Sequence, residues 1–278
     1  MSIAKETLQN FSLRLQHDGR SPGTIEKYLR DVRAFVAWLD GRTLNRENAA
    51  GWRDHLLRSG YAPVTINSML SAVNRFLKFS GREDCRIRFL RVQRKAFREQ
   101  DRELCKAEYQ RLLDAAQSRG QERLGLLMEA ICSTGIRVSE VRYITLEAAQ
   151  QGRADICLKG KIRTILLPSR LCRKLLKYAR KQKIASGEIF CTKSGNSISR
   201  RQIWREMKSL CQKAGVEPSK VFPHNLRHLF ASAFYRVSRD IVKLADLLGH
   251  SSINTTRIYL MSSGAEHQRQ LERLDFVM

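Results

Sequence analysis

Ile25, Tyr28, Leu29, Val32, Phe35, Val36 and Leu39 recur at spacings of three and four. An α-helix brings such a set onto one face. The run opens with Ser21 as a cap and Pro22 in the first turn, where proline costs no hydrogen bond. The same period returns in Ile66, Met69, Leu70, Val73, Phe76 and Leu77, which stop at Gly81. "NRENAAGWRDHLLRSG" supplies another helix, ended by Gly60, and residues 3–16 a fourth. Residues 1–81 are therefore expected to form a small helical bundle with basic outer faces.

Residues 82–105 break the period. "REDCRIRFLRVQRKAFREQDRELC" is charged and rich in arginine, and reads as a basic interdomain linker. Arg82, Arg86, Arg88, Arg91 and Arg94 are its candidate DNA contacts, because guanidinium groups make forked bonds to phosphate that an ammonium cannot copy. Whole-chain charge agrees: 51 Lys and Arg against 27 Asp and Glu leave +24 over 278 residues. A chain this basic with 42% hydrophobic residues reads as a folded protein whose partner is a polyanion.

Beyond residue 105 the pattern is mainly helical with a small β section, an α+β arrangement. "KAEYQRLLDAAQSRG" and "ERLGLLMEAICSTG" are helices ended by Gly120 and Gly135. "ADICLKGKIRTILLP" alternates around a turn near Gly160 and reads as a hairpin. "SRLCRKLLKYARKQK" is a basic helix, "GEIFCTKSGNSIS" a strand and turn, and "RRQIWREMKSLCQKAG" and "HNLRHLFASAFYRVS" further helices. Residues 106–263 form the second domain and 264–278 a tail. The seven cysteines are well separated and contain no CxxC pair. That argues against a zinc site or a disulfide framework and for reduced thiols in a cytoplasm. Lys5, Glu6 and Arg14 interrupt the first apolar stretch, which does not fit a secretory leader. No apolar run approaches membrane-spanning length.

"LLGHSSINTTRIYL" raises two readings. Leu244, Leu247 and Leu248 at helical spacing, Gly249 as a turn, and Ser251 or Ser252 as a cap resemble a helix-turn-helix. Asn254, Thr255 and Arg257 would then read DNA, and Tyr259 would be a half-buried aromatic. The alternative takes His250 and Tyr259 as chemistry. Other segments bear on the choice. "TGIRVSEV" places Arg137 just past a glycine stop. "HNLRH" puts His224 and Arg227 on one helix face, three residues apart. The hairpin supplies Lys159, with Lys161 as its rival.

Two arginines, two histidines, a lysine and a tyrosine, with no acidic cluster, suit metal-free transfer of a phosphodiester. The transition state places negative charge on two non-bridging oxygens, which two fixed guanidinium forks neutralise. A tyrosine hydroxyl ordinarily ionises near pH 10 (about 10), so nearby cations and a histidine base are needed to activate one. A lysine can protonate the leaving 5′ oxygen. A covalent phosphotyrosine conserves the bond energy, so no nucleotide or other cofactor is required.

The order and spacing of these segments resemble the tyrosine recombinase (phage integrase) family, most like its Xer and small-integrase branch. "TGIRVSEV" resembles its first arginine motif, "HNLRH" its His-x-x-Arg motif, "LGHSSINTTRIY" its closing His-to-Tyr motif, "LKGKIRTILLP" its lysine hairpin and "GNSIS" a later turn. The N-terminal helices are similar to its core-binding domain. The resemblance implies that Arg137 and Arg227 bind the scissile phosphate and that His224 exchanges a proton beside the tyrosine. It implies that His250 bonds a phosphate oxygen, Lys159 is the general acid and Tyr259 is the nucleophile. Glu140 would orient this set. It further implies a site-specific recombinase that clamps duplex DNA, resolves a Holliday junction and assembles as a tetramer on paired sites. The expected setting is a prokaryotic cytoplasm, at the nucleoid when bound to DNA, with no metal and no membrane. Leu271, Leu274, Phe276 and Val277 of the tail would dock on a neighbouring protomer. A type IB topoisomerase and a non-catalytic helix-turn-helix regulator are the rival readings.

Overall fold

The computed structural model describes residues 5–92, 102–158, 161–259, 268–269 and 272–274. The chain divides into two compact units, Met1–Arg94 and Lys95–Met278.

In the first unit, α1 (Lys5–His17), α2 (Pro22–Leu39), α3 (Arg46–Arg58) and α4 (Pro63–Phe79) follow the expected helices closely. Every residue of the stripe from Ile66 to Leu77 is buried. Phe35, Trp52, Ile66 and Leu70 centre one cluster; Phe11, Leu15, Val32 and Phe76 centre a second. Asn45 caps α3 by accepting from the Asn48 amide. Ser21 stands at the α2 N-cap but makes no capping bond; its hydroxyl meets that of Thr24 instead.

Both ends of the arginine-rich segment pack within the two units. Residues 83–85 form a short 3₁₀ turn, and Cys85 and Ile87 enter the first unit's core. Asn74 donates to the Ile87 carbonyl and accepts from its N–H, at 2.9 and 2.8 Å. Asn67 treats Leu90 in the same way. The spacing explains the pairing: two helical turns rise about 10.5 Å, close to the roughly 10 Å that three extended residues span. Two side-chain amides thus replace a partner strand. At the far end of the segment, Leu104 belongs to the second unit's core. Residues 93–101, including Arg94, lie outside the described residues.

The second unit contains α5 (Lys106–Ser118), α6 (Glu122–Thr134), a 3₁₀ stretch (Val138–Tyr143) and α7 (Leu146–Gln151). The hairpin of β1 (Arg153–Leu158) and β2 (Lys161–Leu166) comes next, antiparallel, with Ile156 opposite Arg163. Then follow α8 (Ser169–Lys181), α9 (Arg200–Ser209), α10 (Cys211–Ala214), α11 (Pro223–Ser238), α12 (Ile241–Leu248) and α13 (Ile253–Arg257). The strand expected in "GEIFCTKSGNSIS" is reduced to two isolated bridges, Thr145 with Glu188 and Cys191 with Ser197. Gly195 turns the chain back on itself there: the Thr192 N–H donates to the Asn196 carbonyl, and the Thr192 carbonyl accepts from the Gly195 N–H. Among the described residues the sheet has two strands, β1 and β2. The single basic helix expected at 200–215 is broken at Leu210 into α9 and α10.

Helices α6 and α11 pack against each other. Gly135, at the end of α6, has φ +66°, and a Cβ there would stand 2.4 Å from the Phe230 ring. Of the tail residues expected to dock, Leu274 is exposed, and Leu271, Phe276 and Val277 lie outside the described residues. No described helix is long and apolar enough to cross a membrane.

Removing the Asn74 amide strands the N–H and carbonyl of Ile87, a loss of about 1–3 kcal/mol. Asn74→Ala in a Trp204→Phe background should lower the urea midpoint of the first unit, read by Trp38 and Trp52 fluorescence.

Candidate active site

Helix α12 ends at Gly249, which takes the left-handed conformation. The last carbonyls of a helix have no partner within it. Here three consecutive ones each receive an arginine. Leu247 accepts from Arg163 at 3.1 Å, Leu248 from Arg227 at 2.7 Å and Gly249 from Arg137 at 3.1 Å. The negative end of the helix dipole favours this arrangement.

Each arginine arrives for a local reason. Arg137 follows the α6 stop and caps the 3₁₀ stretch, its own N–H bonded to Glu140 at 2.8 Å. Its guanidinium meets the other Glu140 oxygen at 2.9 Å. Arg227 lies in the first turns of α11, is only 2% exposed, and reaches back to the Gly135 carbonyl at the end of α6. Arg163 comes from β2 and ion-pairs with Glu140. Two of the three guanidiniums therefore share one carboxylate, while Arg227 relies on backbone carbonyls, and the cluster is short of negative charge. Burial, then repulsion from Arg137, pulls the Arg227 guanidinium down to about 10, against the opposing pull of the Tyr259 hydroxyl.

His250 occupies the turn between α12 and α13. Its Nε2 stands 2.9 Å from Arg227 and its Nδ1 2.9 Å from the Thr256 hydroxyl. A guanidinium has donors only, so Nε2 accepts and the ring proton belongs on Nδ1, facing Thr256. Burial, then the charges of Arg227, Arg137 and Arg163, depress the imidazole to about 4. The two helices of the helix-turn-helix reading do exist, with Ser252 capping the second. Their turn, however, points His250 into the arginine cluster.

Tyr259 is 4% exposed and packs among Ala231, Leu244 and Leu248. Its ring lies parallel to that of His250, with centroids 5.8 Å apart. His228 meets it edge-on at 4.4 Å, and His224 is at 6.3 Å. Arg137, Glu140, Arg227, His250 and Tyr259 are thus brought together, with His224 at the exposed rim. Lys159 lies outside the described residues, and Lys161 opens β2 opposite Leu158.

Sequence reasoning missed Arg163, Thr256 and His228. His228 was visible in "HNLRH", four residues from His224 and so on the same helix face. Among the arginines of the first unit, Arg86, Arg88 and Arg91 are exposed. Arg82 instead holds Asp84 and the Leu44 carbonyl. Among the described residues no group of histidine, cysteine, aspartate and glutamate side chains is arranged to hold a metal ion.

Known proteins share this architecture. Residues 102–266 match the phage integrase family and residues 8–84 the phage integrase N-terminal SAM-like domain. Tyrosine recombinase XerA of Thermococcus kodakarensis is 30% identical, covering 98% of this chain and 96% of its own. XerD of Pseudomonas aeruginosa is 30% identical, with 87% of each chain covered. In structure the chain resembles a lambda integrase dimer bound to a COC′ core site, with a TM-score of 0.71 at 17% identity over 92% of this chain and 94% of that one. XerH bound to its difH substrate gives a TM-score of 0.69 at 18% identity over 96% and 84%; both likenesses concern the fold. The chain belongs to the phage integrase family. Its class is that of a tyrosine site-specific recombinase.

The cluster predicts an unusual titration. His250 should stay neutral in the free protein down to about pH 4, read from imidazole NMR shifts. The unfolded chain takes up this proton nearer 6.5, so His250 withdraws stability as pH falls through that window. Arg227→Gln removes a neighbouring charge and should move the His250 titration upward.

Proposed function

We propose that this chain cuts and rejoins duplex DNA at specific sites through a 3′-phosphotyrosine formed on Tyr259. The observation that carries the reading is the burial of Tyr259 beside Arg227 and His250, in a cluster with surplus positive charge. Arg137 and Arg227 take the two non-bridging oxygens of the scissile phosphate. As the Tyr259 oxygen attacks phosphorus, its proton passes to His224. The bond to the 5′ oxygen breaks, and Lys159 supplies the proton that the leaving hydroxyl needs. Glu140 orients Arg137 and does not react. Reversal by a 5′ hydroxyl from another strand reseals the backbone with no cofactor.

His250 enters as a hydrogen-bond acceptor from Arg227. When phosphate draws that guanidinium to itself, the new negative charge favours a proton on Nε2, and His250 becomes a donor to the anion. In the first unit, the exposed Arg86, Arg88 and Arg91 contact backbone phosphates. Exchange between two duplexes consumes one tyrosine for each of four strands. The working assembly is therefore a tetramer on paired double-stranded sites, passing through a Holliday junction. The DNA on which it acts lies in a prokaryotic cytoplasm.

The test uses nicked suicide duplexes from DNA flanking the protein's own gene, followed by a pool of random nicked duplexes, all with EDTA present. Wild type should give a protein–DNA adduct that survives a denaturing gel, and Tyr259→Phe none. Duplex binding with no adduct from either set overturns covalent catalysis and favours a regulator that reads DNA through α12 and α13.

A further inference from the structure

Arg163 stands where a strand residue should be apolar. It shares the inward phase of β2 with Ile165 and Leu167, both buried, and pairs across the hairpin with buried Ile156. Its side chain is 16% exposed. Burial pulls the guanidinium downward, with Glu140 opposing and Arg137 adding to the fall. A charge placed there needs a compensating role.

Its contacts define one. One nitrogen of the fork holds Glu140 Oε2, the oxygen that also receives the Arg137 backbone N–H. The other holds the Leu247 carbonyl, next to the one that Arg227 holds. Its Nε is buried without a hydrogen-bond partner. Gly249 makes room for the fork: a Cβ at that position would stand 2.6 Å from Arg163 Cδ and Nη1. This one side chain thus touches the carboxylate that holds Arg137 and the helix end that holds Arg227. On the Glu140 side it holds the carboxylate that bonds Arg137, and on the helix side it holds the Leu247 carbonyl, adjacent to the Leu248 and Gly249 carbonyls that seat Arg227 and Arg137.

We infer that Arg163 is a positioning residue that sets the spacing of Arg137 and Arg227 for the two non-bridging oxygens of the scissile phosphate. The inference rests on the cleavage reading above. Arg163 has its two terminal nitrogens bonded to Glu140 and Leu247 and acts through these neighbours. Lysine cannot replace it, because an ammonium lacks the planar fork that spans two acceptors.

The experiment compares wild type, Arg163→Met and Arg163→Lys on the nicked duplex that wild type cleaves. A second duplex carries a methylphosphonate at the scissile position. That group lacks one charged oxygen, so it makes less demand on the spacing of two arginines. Both variants should bind duplex as wild type does in a native gel. Both should cleave the phosphodiester about 100-fold more slowly, the cost of a misplacement near 1 Å. On the methylphosphonate the gap from wild type should largely close. A variant as far behind wild type on methylphosphonate as on phosphodiester reveals a general structural role and overturns the inference. Full activity of Arg163→Lys overturns it as well. A partly unfolded variant loses the same factor on both substrates, so the ratio remains decisive. Absence of wild-type cleavage strikes the Tyr259 reading instead.

Discussion

The end of α12 is the point on which the site depends. A single carboxylate, bonded to two of three neighbouring guanidiniums, does not offset their charge. Bare charges at such spacing repel strongly in a medium of reduced dielectric. What holds them is a row of orphan carbonyls, Leu247, Leu248 and Gly249, each accepting one fork. The helix supplies partial negative charge along a fixed line, and Glu140 supplies a whole one at its side. Arg137, Arg163 and Arg227 come from different segments of the second unit, and α12 gives them a common ruler.

This arrangement explains why the rest of the second unit is built as it is. The α6 helix must stop where Arg137 begins, and it must stop against α11. Gly135 meets both demands, since its φ of +66° and the nearness of Phe230 leave no room for a side chain. Its carbonyl then becomes another acceptor for Arg227. Gly249 does the same at the end of α12, where Arg163 fills the space a Cβ would need. The hydrophobic packing of Leu244, Leu248, Ala231 and Tyr259 lies directly behind this polar row. The same two turns of helix that seat the arginines therefore also place the nucleophile candidate.

Much of this was legible in the sequence. The helical stripes of α2 and α4 were fixed by apolar spacing, because a bundle face must be buried whatever it packs against. Glycine stops and the His-x-x-Arg spacing located Arg137, His224 and Arg227. The full extent of the first unit was not legible. Asn67 and Asn74 look like ordinary polar residues on a helix, and only a third segment lying across them reveals their role. Arg163 left a trace that went unread, a charge in the inward phase of an alternating strand. Composition hid it, since one arginine among so many is easily taken for solvated surface. Arg82 shows the converse: a residue in a basic run that bonds within its own unit.

The charge of the cluster bears on how it would meet an anion. Burial and mutual repulsion lower both Arg227 and His250, which means that each proton there is held against an unfavourable field. A bound phosphate reverses that field, so its arrival raises the proton affinity of both groups. Linkage makes the effect reciprocal: whatever protonates His250 strengthens anion binding by the same factor. The neutral imidazole of the free protein, accepting from Arg227 and donating to Thr256, is then a resting arrangement that costs no proton. With its imidazole neutral, the cluster avoids adding a further positive charge beside Arg137, Arg163 and Arg227.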